Sequence, residues 1–119
     1  MQTHITLVQP SNVGAEDVIL DVRKRPGKKQ IRGALRYDPA VLLNTRGPLP
    51  LPHDRRIVLD AERRADAEMI GDHLAALGFK NVGILLGGFN AWEIAALPTE
   101  GATQEQPVPD TEHSGLNRL

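Results

Sequence analysis

Three short runs, "DVILDV" (17–22), "RRIVLD" (55–60) and "NVGILL" (81–86), are apolar at nearly every position and rich in β-branched residues. Strands covered on only one face alternate apolar with polar residues, so continuous runs of this length predict strands buried on both faces. Such burial calls for helices on either side of the sheet, and the sequence supplies them. After the second run, Ala67, Ile70, Leu74 and Leu77 recur at helical spacing up to Gly78, which predicts a helix over about 64–77 closed by a left-handed glycine. Gly71 inside that helix predicts close packing. After the third run, "GGFNAWEIAAL" predicts a tight glycine turn entering a second helix, ended by Pro98. Strand, helix, strand, helix implies parallel strands joined by right-handed crossovers. Residues 4–8, "HITLV", predict a further strand at the sheet edge.

The remaining stretches bound the domain. At 119 residues the chain fits one domain, burying roughly two-thirds of its unfolded surface. Residues 44–54, "NTRGPLPLPHD", carry Pro48, Pro50 and Pro52, and predict an extended connector outside the sheet centre. From residue 99 the composition turns to Pro, Gln, Glu, Thr and Gly, which predicts a domain over 1–98 and a flexible tail over 99–119.

Composition excludes several function classes. No apolar run approaches the roughly 18 residues needed to cross a bilayer, and "MQTHITLVQPSN" lacks the basic-then-apolar layout of a secretion signal. A cytoplasmic location without membrane contact is expected. The formal net charge is −1 and aromatic residues are few, which disfavours nucleic acid as a partner. The four histidines, His4, His53, His73 and His113, are too scattered for a metal site. No cofactor is expected. The chain has no cysteine, which removes disulfides and every mechanism with a sulfur nucleophile.

Open α/β sheets place their sites at the carboxyl ends of the strands, and three segments converge there: "LDVRKRPGKKQIRG", "DAERRAD" and "LLGGFNAW". In "DAERRAD" the chain leaves a strand and enters a helix, so free backbone N–H groups and the positive helix end face the loop. Arg63 and Arg64 favour an anion there, while Asp60, Glu62 and Asp66 compete for the same donors. A purely structural alternative is that Glu62 and Asp66 cap the helix start and the arginines are solvated. Upstream, Arg23, Lys24, Arg25, Lys28, Lys29 and Arg32 follow one another without an intervening acid. They form either a solvated basic loop or a docking patch for an acidic partner. That partner includes the chain's own tail, where Glu100, Glu105, Asp110 and Glu112 carry opposite charge. His73 is placed beside the apolar face of its helix as a partly exposed residue, and Phe89 and Trp92 as packing residues.

The order and spacing of these pieces resembles the rhodanese (sulfurtransferase-like) domain family. The resemblance rests on "VILDVR" (18–23), "QIRGA" (30–34), "LPHDRRIVLDA" (51–61) and "LAALGFKNVGILLGGFNAWEIAALPTE" (74–100). It implies a three-layer α/β/α fold with a central, mostly parallel sheet. It also implies an active loop that opens on a catalytic cysteine, whose thiolate takes up a sulfane sulfur as a persulfide. Counted back from Leu77-Gly78-Phe79 without a gap, Ala61 falls on the cysteine position, Arg64 on the loop glycine and Asp66 on the loop arginine; a slip of one residue puts Asp60 on the cysteine. No register supplies a thiol.

The expectation is therefore a catalytically inactive rhodanese-homology domain that binds a partner protein or small oxyanion. The candidate binding residues are Asp60, Ala61, Glu62, Arg63, Arg64, Ala65, Asp66 and Ala67 of the loop, with Arg23, Lys24 and Arg25 beside them. The competing expectations are a sulfurtransferase that borrows a partner's cysteine and a carboxylate-dependent hydrolase using Asp60, Glu62 or Asp66.

Overall fold

The computed structural model describes residues 5–108. Its central sheet has five parallel strands, β1 (Ile5–Val8), β2 (Val18–Asp21), β4 (Leu35–Arg36), β5 (Ile57–Asp60) and β6 (Val82–Leu85), in the order β1-β6-β5-β2-β4. The helices are α1 (Pro39–Leu43), α2 (Arg64–Ala76) and α3 (Gly88–Ile94). The three apolar runs form β2, β5 and β6, the middle of the sheet, and every residue of β5 and β6 is buried. Residues 5–8 form the edge strand.

Alternate residues of the sheet feed two cores, because successive strand side chains point to opposite faces. Leu20, Ile57, Leu59, Val82 and Ile84 pack with Ala67, Ile70 and Leu74 of α2 and Leu42 of α1. Ile19, Val58 and Leu85 pack with Trp92 of α3 on the other face. This is the three-layer α/β/α arrangement. Gly71 lies where α2 rests on the sheet; a Cβ there would come within 3.0 Å of Ile5 Cδ1 and 3.6 Å of Val82 Cγ1. The proline-rich connector forms no strand, and its alternating Leu49 and Leu51 are buried in the α1–α2 core.

Two elements depart from the expectation. Helix α3 ends at Ile94, four residues before Pro98, where the backbone turns left-handed at Ala96 (φ 59°). The segment expected to be a tail from residue 99 is instead folded through residue 108. Strand β7 (Thr99–Gly101) pairs antiparallel with β3 (Lys29–Ile31), Ala102 N donates to Lys28 O at 2.9 Å, and Gln106 N donates to Arg36 O at 2.7 Å. The reason is the buried side chain of Gln30. Its Nε2 donates to Ala34 O and to Glu100, and its Oε1 accepts from the N and Oγ1 of Thr103. A polar segment orders here because it satisfies a buried amide that would be costly alone. Residues 109–119, with Asp110, Glu112 and His113, lie outside the described residues, as does His4.

Candidate functional site

Strands β2 and β5 both end in aspartate, and their parallel register sets Asp21 opposite Asp60, with Arg36 opposite Asp21 on the other side. Both carboxylates are fully buried. Arg23, leaving β2, folds back on Asp21 in a two-pronged pair, Nε to Oδ1 at 3.0 Å and Nη2 to Oδ2 at 2.8 Å. Its guanidinium lies 4.6 Å over the Phe89 ring, a geometry that favours a cation. Arg36 adds an ion pair to Asp21 at 3.6 Å and donates to the carbonyls of Asp21 and Arg23. Asp21 is thus fully compensated.

Asp60 is not. Its nearest cation atom is Arg23 Nε at 3.8 Å, and neither carboxyl oxygen meets a hydrogen-bond donor in proper geometry. Burial and the adjacent Asp21 push its pKa up to about 7; Arg23 and the Phe89 N–H, which bears on it without meeting hydrogen-bond geometry, oppose this, and Glu62 adds to it. The Gly87–Gly88 turn that opens α3 closes over this carboxyl. Gly88 has φ 59°, and a Cβ there would stand 2.7 Å from Ala61 O and 3.2 Å from Asp60 Oδ1. Only glycine permits that approach.

The loop itself begins at Ala61, a residue only 8% exposed at the carboxyl end of β5. Glu62 is exposed but does not cap α2. Its carboxylate crosses to the basic loop and accepts the backbone amides of Lys24 and Arg25, at 2.7 and 2.8 Å. Arg63 is the N-cap residue of α2 and makes no side-chain cap bond. Asp66, in the first turn, binds Arg63 Nε at 3.4 Å and Lys24 Nζ at 3.5 Å; these partners hold its carboxyl below the usual range. Arg64 pairs with Glu68 one turn on, at 3.4 Å. Ala65 is exposed. A recess of about 200 Å³ separates the loop from the Gly87–Gly88 turn, with Arg63, Arg64 and Ile84 among its lining. A second, of about 330 Å³, lies between α1 and α2 and is lined by Lys24, Pro39, Leu43, Asp66, Met69 and Ile70.

The candidate residues thus divide. Glu62, Arg63, Arg64, Ala65, Lys24 and Arg25 are exposed and Asp66 partly so, with Glu62 and Asp66 joining the loop to the basic segment. Asp60 and Arg23 are buried at the ends of their strands, while Ala61 and Ala67, also buried, line the floor of the recess beside the loop. The start of the segment expected to be a tail does lie along the basic segment 23–32, through backbone pairing of residues 99–101 with 29–31, but its described acids Glu100 and Glu105 meet other groups. Glu100 binds Gln30 and the Gly33 amide, and Glu105 pairs with Arg36 at 3.8 Å. His73 is half-buried with Nε2 2.8 Å from Thr45 O, and Trp92 donates to Pro98 O at 2.7 Å. Among the described residues no group of side chains is arranged to hold a metal ion, and no helix is long and apolar enough to cross a membrane. The sequence offered no signal for the Glu62 clip, because its partners are backbone amides 37 and 38 residues away.

Fold and site together define an α/β domain whose loop at the carboxyl end of a central parallel strand carries no thiol. Residues 7–95 match the rhodanese-like domain family, and the chain belongs to that family. Among solved structures, it is similar to the Alr3790 protein of Anabaena sp., with 30% identity over 75% of this chain and 72% of that one, and a TM-score of 0.65. A protein of Lactobacillus plantarum shows 26% identity over 73% and 74% of the two chains, with a TM-score of 0.63. The fold also matches a thiosulfate sulfurtransferase of Pseudomonas aeruginosa at 24% identity and a TM-score of 0.69, over 88% of this chain but 21% of that larger one. No curated protein matches the chain. With no cysteine in its sequence, this rhodanese-like domain has no thiol on which to carry a persulfide.

Proposed function

We propose that the chain is a non-catalytic, cytoplasmic rhodanese-homology module that binds a partner through the exposed surface formed by loop residues 62–66 and the neighbouring basic segment. The observation that carries this reading is the fate of the reactive position. Ala61 stands buried where the resemblance sets the thiol, and none of the carboxylates around it is both unpartnered and open to solvent. Asp60 is buried, Glu62 is held by two amides, and Asp66 by two cations. Acid–base hydrolysis needs a carboxylate within reach of substrate, so this disposition also speaks against a hydrolase. The recess beside the loop, about 200 Å³, falls below the roughly 300 Å³ at which small-molecule pockets begin, which leaves room there for a small oxyanion at most.

The test is thiosulfate:cyanide sulfurtransferase activity of the purified chain, with mass spectrometry for bound sulfane sulfur. The expected result is no turnover and no added sulfur. Ala61→Cys checks the position: a sulfur adduct on the variant alone supports the loop register, whereas turnover by the unaltered chain overturns the proposal.

A further inference from the structure

The Glu62 clip has the form of an occupied binding site. Two successive backbone N–H groups, those of Lys24 and Arg25, converge on the two oxygens of one carboxylate, and adjacent amides of this kind make an anion seat. Both sides of the contact are exposed to solvent. The surrounding charge is unbalanced, since the side chains of Arg25, Lys28 and Arg32 form no ion pair among the described residues. The seat also adjoins an apolar surface. Lys24 borders the recess between α1 and α2, whose apolar lining includes Pro39, Leu43 and Met69, with Met69 57% exposed; its two acids are engaged, Asp38 by the Ala40 amide and Asp66 by Lys24 and Arg63.

We propose that the Lys24–Arg25 amides are a carboxylate seat filled in cis by Glu62, and that an acidic peptide segment of a partner protein takes over this seat while inserting an adjacent apolar side chain between α1 and α2. Rested on the partner-binding reading above, this assigns the partner's chemistry and a self-blocking role to Glu62. A glutamate or aspartate of the partner reproduces the two amide bonds that Glu62 gives up. Its further acids meet Arg25, Lys28 and Arg32, so complex formation gains charge neutralisation that the intramolecular clip lacks. Exposed charges of this kind attract an acidic chain from a distance and are screened by salt. Leucine or a similar residue next to the acid covers Met69 and Leu43.

The experiment uses the full chain labelled with ¹⁵N, in wild-type form and as Glu62→Ala, titrated with sodium acetate and with a synthetic peptide of alternating glutamate and leucine. The expected result is a saturable acetate shift of the Lys24 and Arg25 amides in Glu62→Ala, with a midpoint about tenfold or more below that of the wild type, equivalent to about 1.4 kcal/mol. The peptide shifts the same amides and the Met69 methyl, binds Glu62→Ala more tightly than wild type, and weakens at about 0.5 M salt. A glutamine-for-glutamate version of the peptide does not bind. Equal acetate midpoints, shifts elsewhere on the protein, or equal binding of the glutamine peptide each overturn the proposal. Glu62→Gln, which keeps the side chain's shape but loses its charge, replaces Glu62→Ala if the latter does not fold. Sulfur transfer by the chain would refute the non-catalytic reading without altering these titrations, so the two failures are separable.

Discussion

Replacing Asp60 by asparagine removes a buried carboxyl that has no hydrogen-bond donor and stands beside Asp21. The folded protein holds the Asp60 proton up to about pH 7, whereas an ordinary aspartate releases it at 3.8. The folded state therefore binds the proton more tightly than the unfolded chain. The resulting contribution to stability is fully present below 3.8, declines at about 1.4 kcal/mol per pH unit, and is lost once the pH passes about 7. Over the whole interval the loss is about 4 kcal/mol, a large share of a small domain's stability of roughly 5–15 kcal/mol. Asparagine keeps the shape and does not titrate, so Asp60→Asn is expected to gain on the wild type as the pH rises. Between about pH 5 and about pH 8 the difference between the two proteins should move by about 3 kcal/mol in favour of the variant. Urea unfolding of both proteins at both pH values measures this, and the titrations of groups distant from Asp60 cancel in the comparison. A stability difference that is the same at the two pH values refutes the argument that Asp60 is the proton-linked group.

Further substitutions probe the rest of the site. Arg23→Met leaves Asp21 buried with only Arg36 as counter-charge and is expected to cost about 3–5 kcal/mol in urea unfolding. Gly88→Ala meets Ala61 O at 2.7 Å from a left-handed backbone and should destabilise by about 1–3 kcal/mol, while Gly101→Ala, with nothing within 4 Å, should stay within about 0.5 kcal/mol. Truncation after Pro98 removes Glu100 and Thr103 from the buried Gln30. It is expected to lower stability by about 1–3 kcal/mol, and Gln30→Leu in the truncated chain should restore part of it.

How much of this was legible depends on how far apart the interacting residues lie. The strands β2, β5 and β6 and helix α2 were readable because each is specified by its own run of apolar residues, with Gly78 (φ 104°) marking the helix end. Gly71 was readable as a contact although not its neighbours. The short elements β3, β4 and α1 were not, since strands of two or three residues carry no periodicity. The order of segment 99–108 was hidden because it depends on Gln30, about seventy residues earlier.

At the loop, "DAERRADA" announced a charged strand-to-helix junction, and the sequence alone excluded a thiol there. It left undecided whether the charges capped the helix, held an anion or faced solvent. By itself the sequence determined the parallel α/β architecture and the absence of a thiol, because periodicity and residue identity are local properties. Only the tertiary structure decided that Asp21 and Asp60 share one buried row, that Arg23 turns inward, and that Glu62 grips the opposite loop. Those outcomes depend on strand register and on the crossing of two loops nearly forty residues apart, and electrostatics acts through distance in space rather than along the chain.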